Sequence, residues 1–473
     1  MSRTKFLKRK RQAAEAVKSD NRATVPSPDH ASGDPKNIQA VVIDEDLEIT
    51  IDTLQTIAKY PNLIKSKACR DLRTAVYDFR QACTIGVNAA EDSNLTSRIT
   101  AALADAKYTD ALVLLAEMQI RNESPKLGAL CRWVRDLDVV SGLSMKVDGV
   151  SRALEWSAQD RERLRILASI LRVSGPTDTS SEGLSYTTDP IRVLKGWDMR
   201  SDDAQRPRPA QCSGNIKELF RVIETTPGQQ RKPPNLHPAI LHASRDDAIL
   251  LSNDTPPTSI HHHPVVPHLS LIKDVLFSSE CCSIIAAAQT VGFTPDAPIM
   301  SSREDVSVLA HNFYWIVDES FAARLWQRVK PHVPEQVDGR LVRGLNRRFR
   351  VYRYVPGAEY RCHIDGAWPP SGINPVDDTY IYDASPATAK QSSLYTFLLY
   401  LNDEFEAGET TFFMPSIHDG VMNAYPVKPV AGAAAIFPHG EGKGALLHEG
   451  SGVRSGAKYI IRTDVLYDIN KPV

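Results

Sequence analysis

Cysteine is scarce. Seven residues, Cys69, Cys83, Cys131, Cys212, Cys281, Cys282 and Cys362, are spread over 473 positions with no CxxC pair. An odd and sparse set excludes a disulfide framework and fits a reducing compartment. Long apolar runs are missing as well. No stretch approaches the roughly 18 apolar residues of a membrane helix, so no membrane span is expected. Net charge is nearly absent, at −1. The chain as a whole therefore gives no electrostatic case for binding nucleic acid or a membrane surface. The basic N-terminus is not followed by an apolar segment, so a secretory signal is not expected either. These absences together point to a cytoplasmic or nuclear protein.

What is present suffices for a sizeable core: apolar residues make up 42% of the chain, and the length allows two or three domains of about 100–200 residues each. Residues 1–40 are polar and rich in Ser, Pro and Asp, and read as a disordered basic tail. Within it Lys8-Arg9-Lys10-Arg11 reads equally as a nuclear-localisation signal or as a solvated basic tail. From 41 to 175 the apolar period is helical. One stripe is Ala68, Leu72, Ala75, Val76 and Phe79; another is Leu164, Ile166, Leu167, Ile170 and Leu171. Short turns between such stripes imply antiparallel helix pairs. This region reads as a separate all-α domain with a protein partner of its own. Residues 176–264 shift to Pro, Ser, Thr, Asp and Asn and read as a linker or extension. The tract His261-His262-His263 closes it. Adjacent residues in a loop cannot all face one ion, so the tract is not read as a metal site.

From 265 to 473 the chain turns to short strands between Gly/Pro turns, after two helices at 281–291 and 318–329. Strands are expected over 347–354, 394–402, 410–413, 433–437, 445–448 and 458–466. Within this region His363 and Asp365 are two apart in a β-like run, so they point the same way and form half of a metal site. A third ligand must come from another strand. His418 lies in a polar loop and His439 in a Gly-rich turn, whereas His448 ends the apolar run Ala445-Leu446-Leu447 and is held on a strand end. Two histidines and a carboxylate suit non-haem Fe(II), and also suit hydrolytic zinc. Lys458, which opens the last strand, favours the former, since a lysine beside the metal can pair with a dicarboxylate co-substrate.

The ordered set Tyr354-Val355-Pro356-Gly357, His363-Ile364-Asp365, Leu399-Tyr400-Leu401-Asn402, Gly408-Glu409-Thr410, His448 and Lys458 resembles the catalytic core of the Fe(II)/2-oxoglutarate dioxygenases. The similar branch is the prolyl-4-hydroxylase-like one, which uses Lys at the oxoglutarate anchor. The likeness runs over about 265–468 and implies an α+β chain: a C-terminal double-stranded β-helix (jelly roll) with flanking helices, after the separate helical region. It implies iron held by His363, Asp365 and His448. The distal carboxylate of 2-oxoglutarate would sit on Lys458, with Tyr354, Tyr400 and Thr396 lining the pocket. Arg462, on the same face as Lys458, would support the oxoglutarate, bind an anionic substrate, or pair with Asp464. O2 is the second co-substrate, ascorbate keeps iron reduced, and succinate and CO2 are the co-products. The hydroxylated C–H belongs to a protein residue, prolyl among them, or to a small molecule. A non-catalytic jelly-roll adaptor working through its helices is the alternative. The insertion 366–393, leaving directly from the metal ligands, reads as a substrate lid.

Overall fold

In the computed structural model the described residues are 42–88, 94–143, 156–200, 216–231, 238–294, 310–441 and 444–470. The basic tail and its Lys8–Arg11 cluster lie outside them. The chain divides into two compact units, Met1–Cys83 and Thr84–Val473.

In the first unit the described helices are Asp44–Ala58 and Pro61–Ile64, followed by the start of Arg70–Asn88. No residue of Asp44–Ala58 is buried, and Leu54, Leu63, Val76 and Phe79 are exposed.

The second unit is built on two sheets. The larger runs, in spatial order, Phe220–Thr226, Ala239–Ser244, His311–Ile316, Arg348–Tyr354, Lys458–Asp468, Gln391–Tyr400, Ala434–Pro438, Ser270–Lys273 and Ser259–His262. The smaller runs Ile191–Val193, Met422–Val427, Thr410–Pro415, Leu447–Gly450 and Tyr360–His363. Alternation along each strand turns one face of each sheet toward the other. Between them lies a shared core of Tyr352, Tyr354, Leu398, Tyr400, Phe437 and Ile460 from the larger sheet with Phe412, Met414 and Tyr425 from the smaller. The outer face of the larger sheet, through Phe313, Trp315, Phe349, Val351 and Ile461, is covered by helices Ser278–Val291 and Glu319–Val329. The second of these starts where Asp318 accepts from the Phe321 amide and so caps it.

The expected strands appear as Arg348–Tyr354, Gln391–Tyr400, Thr410–Pro415, Ala434–Pro438, Leu447–Gly450 and Lys458–Asp468. Two expectations change. The helices Leu95–Ala104, Tyr108–Ile120, Leu127–Asp136 and Ala158–Ser174 are not separate from the β region. Their buried Leu115, Leu130, Trp133, Leu164 and Leu167 share one core with Cys362, Phe413, Met422 and Leu447 on the outer face of the smaller sheet. The reason is physical: that face is apolar and these helices are its cover. The division between units accordingly falls at Cys83, not at 175. Residues 176–264 are likewise not a plain linker. Ile191–Val193 pairs parallel with Met422–Val427, and Phe220–Thr226 with Ala239–Ser244 widens the larger sheet. Buried Asp178 fastens the first part by accepting from Asn423 Nδ2 at 2.6 Å and from the Tyr425 hydroxyl.

Candidate metal centre

His363 and His448 face each other in register across two antiparallel strands of the smaller sheet. Their ring centroids are 4.4 Å apart. Asp365 lies two residues past the end of the first strand. Its Oδ1 is 3.4 Å from His363 Nε2 and its Oδ2 is 3.6 Å from His448 Nε2. The three ligand atoms all fall within 4.8 Å of one another, and they form the one such His/Cys/Asp/Glu group among the described residues. Each histidine places its Nδ1 on a main-chain carbonyl two residues upstream: Arg361 O at 2.7 Å for His363, Leu446 O at 3.1 Å for His448. A carbonyl only accepts, so Nδ1 carries the proton and the Nε2 lone pair is left for a metal. Phe412 and Phe437 pack on the His448 ring and hold its plane. Burial, reinforced by nearby His363, pushes the His448 pKa down to about 4, so its imidazole is a neutral ligand near pH 7.

Asp365 is anchored from the opposite sheet. The Thr396 hydroxyl donates to its Oδ2 at 2.7 Å, and Arg462 Nε lies 3.3 Å from its Oδ1. Burial alone would raise the carboxyl pKa. Arg462 and the two histidines override it and hold Asp365 well below the usual carboxylate range. Arg462 also donates to Asp464 Oδ1 at 2.9 Å and to Gly366 O at 3.3 Å. Of the three roles read for Arg462, the structure places it between two acids, Asp464 and the candidate ligand Asp365. Burial raises the Asp464 pKa to about 6 despite that pairing.

Lys458 is 0% exposed, and its Nζ donates to Gly408 O at 2.7 Å over the Tyr354 ring, 5.0 Å from the centroid. Lys458 and Tyr354 are opposite one another on neighbouring strands. Among the described residues no carboxylate ion-pairs with this ammonium. Burial pushes its pKa down to about 7, opposed by the more distant Glu409. His363, His448, Lys458, Tyr354 and Arg462 line one cavity, together with Tyr352, Tyr360 and Thr410. Gly450 leaves room beside it, since a Cβ there would stand 3.0 Å from the Tyr354 hydroxyl and crowd it.

Two expected pocket residues sit elsewhere. Thr396 spends its hydroxyl on Asp365. Tyr400 is fully buried behind the wall, donating to Thr410 Oγ1 at 2.9 Å; Thr410 is the one that reaches the cavity. Tyr352 and Tyr360 were not legible as site residues, since each reads as ordinary strand packing, and Thr410 was legible only as part of the Gly408-Glu409-Thr410 motif. His439 is buried beside the site, with Nε2 2.9 Å from Ser393 Oγ, and burial lowers its pKa to about 3. His418 is held at Leu184 O. The 261–263 histidines bond Ser259, Ser270 and the Val265 and Val266 amides, and converge on nothing.

The covering helices also touch the ligand strand. Asp138 pairs with Arg361, Ser141 Oγ accepts from the Cys362 amide at 2.8 Å, and Gly142 N donates to Glu449 at 2.9 Å. The Cys131 thiol reaches Ile364 O at 3.4 Å. Both flanks of His363, and Glu449 after His448, are thus tied to the 127–143 segment.

No family model matches the chain, and no curated protein matches it significantly. Solved structures do. The viral collagen prolyl hydroxylase of Paramecium Bursaria Chlorella virus-1, in complex with 2OG, is 18% identical over 43% of this chain and 97% of that one, with a TM-score of 0.28. A Pseudomonas putida prolyl-4-hydroxylase is 17% identical over 42% and 91%, with a TM-score of 0.26. HygX from Streptomyces hygroscopicus, with nickel and 2-oxoglutarate bound, is 14% identical over 43% and 82%, at 0.26. The chain is similar to these oxygenases, but at such TM-scores the likeness carries no argument beside the geometry.

Proposed function

We propose that this chain is an Fe(II)- and 2-oxoglutarate-dependent dioxygenase of the prolyl-4-hydroxylase-like branch. It hydroxylates a C–H bond of a protein residue, possible prolyl positions included, or of a small molecule. The scaffold is read as a double-stranded β-helix formed by the two facing sheets. One observation carries the proposal: a fully buried lysine without a carboxylate partner among the described residues shares a cavity with His363 and His448, whose Nε2 atoms converge with the Asp365 carboxylate. A buried cation is costly unless paired. A dicarboxylate that places one end on Lys458 and the other near the histidines satisfies it.

His363 Nε2, Asp365 and His448 Nε2 would hold iron, and the donor set fits. Iron bound there supplies the redox chemistry by which 2-oxoglutarate and O2 become succinate and CO2 while one oxygen enters the substrate C–H. The residues do the rest. Lys458, with Tyr354 beneath it, binds and orients the distal carboxylate of 2-oxoglutarate. Thr396 and Arg462 fix Asp365 in its ionised form and in one rotamer. Tyr352, Tyr360 and Ile460 keep the cavity wall apolar and restrict water. Ascorbate is taken as the reductant that preserves iron(II). Cys69, Cys131, Cys281, Cys282 and Cys362 are free thiols; the cytoplasm or nucleus is the setting proposed from the sparse cysteine usage.

Anaerobic Fe(II) with 2-oxoglutarate should produce a weak visible charge-transfer band, and air should then convert oxoglutarate to succinate. His363→Ala should lose both. No band and no conversion in the wild type, or retained conversion in His363→Ala, would overturn the assignment. A search for products heavier by one oxygen after incubation in cell extract, with His363→Ala as control, identifies the substrate.

A further inference from the structure

Alternate residues of the strand Arg348–Tyr354 face the same way. Tyr352 and Tyr354 enter the core between the sheets, while Phe349 and Val351 point to the outer helices. Arg348 and Arg350 are therefore on the cavity side. Register with the last strand orders that side in rows. Tyr354 is opposite Lys458, Tyr352 opposite Ile460, and Arg350 opposite Arg462. Arg348 is one row further out, about 7 Å along the strand from Arg350. The rows run from the buried ammonium, past the level of the Asp365 partner Arg462, to a second cationic end.

That outer end is built rather than loose. The Arg348 guanidinium lies between two aromatic faces, 4.2 Å from the Tyr314 centroid and 4.2 Å from the Trp368 centroid. Its Nε is buried without a hydrogen-bond partner, and among the described residues nothing ion-pairs with it. Trp368 is fixed in place: Asn346 donates to Pro369 O at 2.9 Å and accepts from the Ser371 amide at 3.1 Å, and Trp368 N donates to Ser393 Oγ at 2.9 Å. Two further guanidinium groups crowd the same tyrosine, Arg350 at 5.0 Å and Arg231 at 5.8 Å from its ring centre. Stacking on aromatic faces leaves the in-plane N–H edge of an arginine available to a planar or tetrahedral oxyanion.

We infer that Arg348, clamped by Tyr314 and Trp368, binds an anionic group of the prime substrate, a carboxylate or a phosphate ester, at the mouth of the cavity. This rests on the dioxygenase reading for the word substrate. The anion site itself does not. The co-substrate carboxylate occupies the inner end at Lys458, and the prime substrate is held by its own anion at the outer end, with its C–H between them.

The test uses the full chain and two probes, inorganic phosphate and acetate, followed by tryptophan fluorescence. A saturable change is expected, because Trp368 stacks on the arginine that takes the anion. Trp368→Phe should remove the signal. Arg348→Gln should weaken the response at least tenfold, and Arg348→Lys, which keeps charge but not the fork, should fall between. The tighter probe identifies the class of anion. No saturable response in the wild type, or an unchanged response in a folded Arg348→Gln or Arg348→Lys protein, overturns the inference. A second readout connects the site to turnover. Oxygenated product from extract should drop at least tenfold in Arg348→Gln, while substrate-independent conversion of 2-oxoglutarate persists. Product formation equal to wild type overturns the substrate role. If the wild type converts no 2-oxoglutarate, the dioxygenase reading fails, and the probe titration still decides the anion site.

Discussion

The Thr396 hydroxyl donates to Asp365 Oδ2 at 2.7 Å, so the one anionic candidate ligand is aimed by the sheet opposite the two histidines. The site is closed by this bond across the two layers. Thr396 is buried and its methyl packs like that of a valine, so Thr396→Val removes the hydroxyl with little change in volume. Loss of a group that orients a ligand typically costs about 10–100-fold in metal affinity. Mn(II) titration by calorimetry should show a loss in that range, and Thr396→Ser should recover most of it. An unchanged Mn(II) affinity in Thr396→Val would separate Thr396 from the metal centre.

The Lys458 pKa is pushed down to about 7 by burial, which predicts a proton uptake. Between that value and the ordinary lysine range the folded, empty protein holds a neutral amine while the unfolded chain is protonated. Stability therefore rises with pH across this window, and the penalty of the buried charge is full below it. Binding a carboxylate favours the ammonium and recharges the group. Oxoglutarate affinity should then weaken as pH rises above about 7. Calorimetry at pH 8 in buffers of different ionisation enthalpy should report uptake of close to one proton per oxoglutarate in the wild type. Lys458→Arg, always charged, should show none. Equal proton uptake in that variant would refute the assignment of the proton to Lys458.

Much of the chemistry could be read in the chain because its signals are local. The spacing of His363 and Asp365 and the apolar run before His448 can be read without knowledge of pairing, and so can the strands expected over 394–402 and 458–466, which the structure has as Gln391–Tyr400 and Lys458–Asp468. What could not be read depends on contacts between distant segments. Met422–Val427 contains Pro426 and reads poorly as a strand, yet it sits in the interior of the smaller sheet between Thr410–Pro415 and Ile191–Val193. Ile191–Val193 is three residues long and carries no pattern of its own. The helical stripes were visible, but not what they cover, since an amphipathic face does not name its partner. Thr396 and Tyr400 share one face of their strand, yet neither lines the cavity: the Thr396 hydroxyl goes to Asp365 and Tyr400 stands behind Thr410, contacts that the strand pattern alone does not name.

Shared burial between helices and ligand strand makes a truncation test. Removing residues 1–83 leaves intact the core of Trp133, Leu164 and Leu167 with Phe413, Met422 and Leu447. Removing residues 1–175 strips those apolar side chains of cover and cuts the Asp138–Arg361 pair beside His363. The shorter deletion should keep a cooperative thermal transition and Mn(II) binding. The longer one should aggregate or lose both. A folded, metal-binding 176–473 fragment would show that the helices are dispensable to the sheet.

The insertion after Asp365 is ordered in two parts. Residues 366–371 are tied to Asn346 and Ser393, whereas the small hairpin Gly372–Ile373 with Tyr380–Ile381 lies on the larger sheet, with Ile373 and Tyr380 against Leu241, Tyr314 and Ile316. Its tip is held by an Arg221–Asp378 ion pair between exposed groups, and such pairs add about 0–1 kcal/mol. The tip is held this weakly, while Ile373 and Tyr380 anchor the base of the hairpin. Deleting residues 377–384 should therefore lower product formation on the prime substrate at least tenfold. Mn(II) binding and substrate-independent oxoglutarate conversion should stay near wild type. Full turnover after the deletion would count against a covering role.

Glu280 and Arg328 form a buried two-pronged pair, with Nη1 to Oε2 at 2.7 Å and Nη2 to Oε1 at 2.9 Å. Each is further engaged. Glu280 accepts from the Ser252 and Phe277 amides, and Arg328 donates to Val275 O and Ser252 O. The pair thus fastens both outer helices to the chain entering the larger sheet. Burying two charges is expensive, and their attraction only offsets that expense while both are present. Glu280→Ala leaves a buried guanidinium alone and should cost about 3–5 kcal/mol, read as a lower urea midpoint. Arg328→Met leaves a carboxylate alone and should cost about as much. In the double variant Glu280→Leu/Arg328→Met no charge is stranded, so its loss should be clearly smaller than the sum of the two single losses. Additive losses would mean that the two side chains act independently, contrary to the geometry.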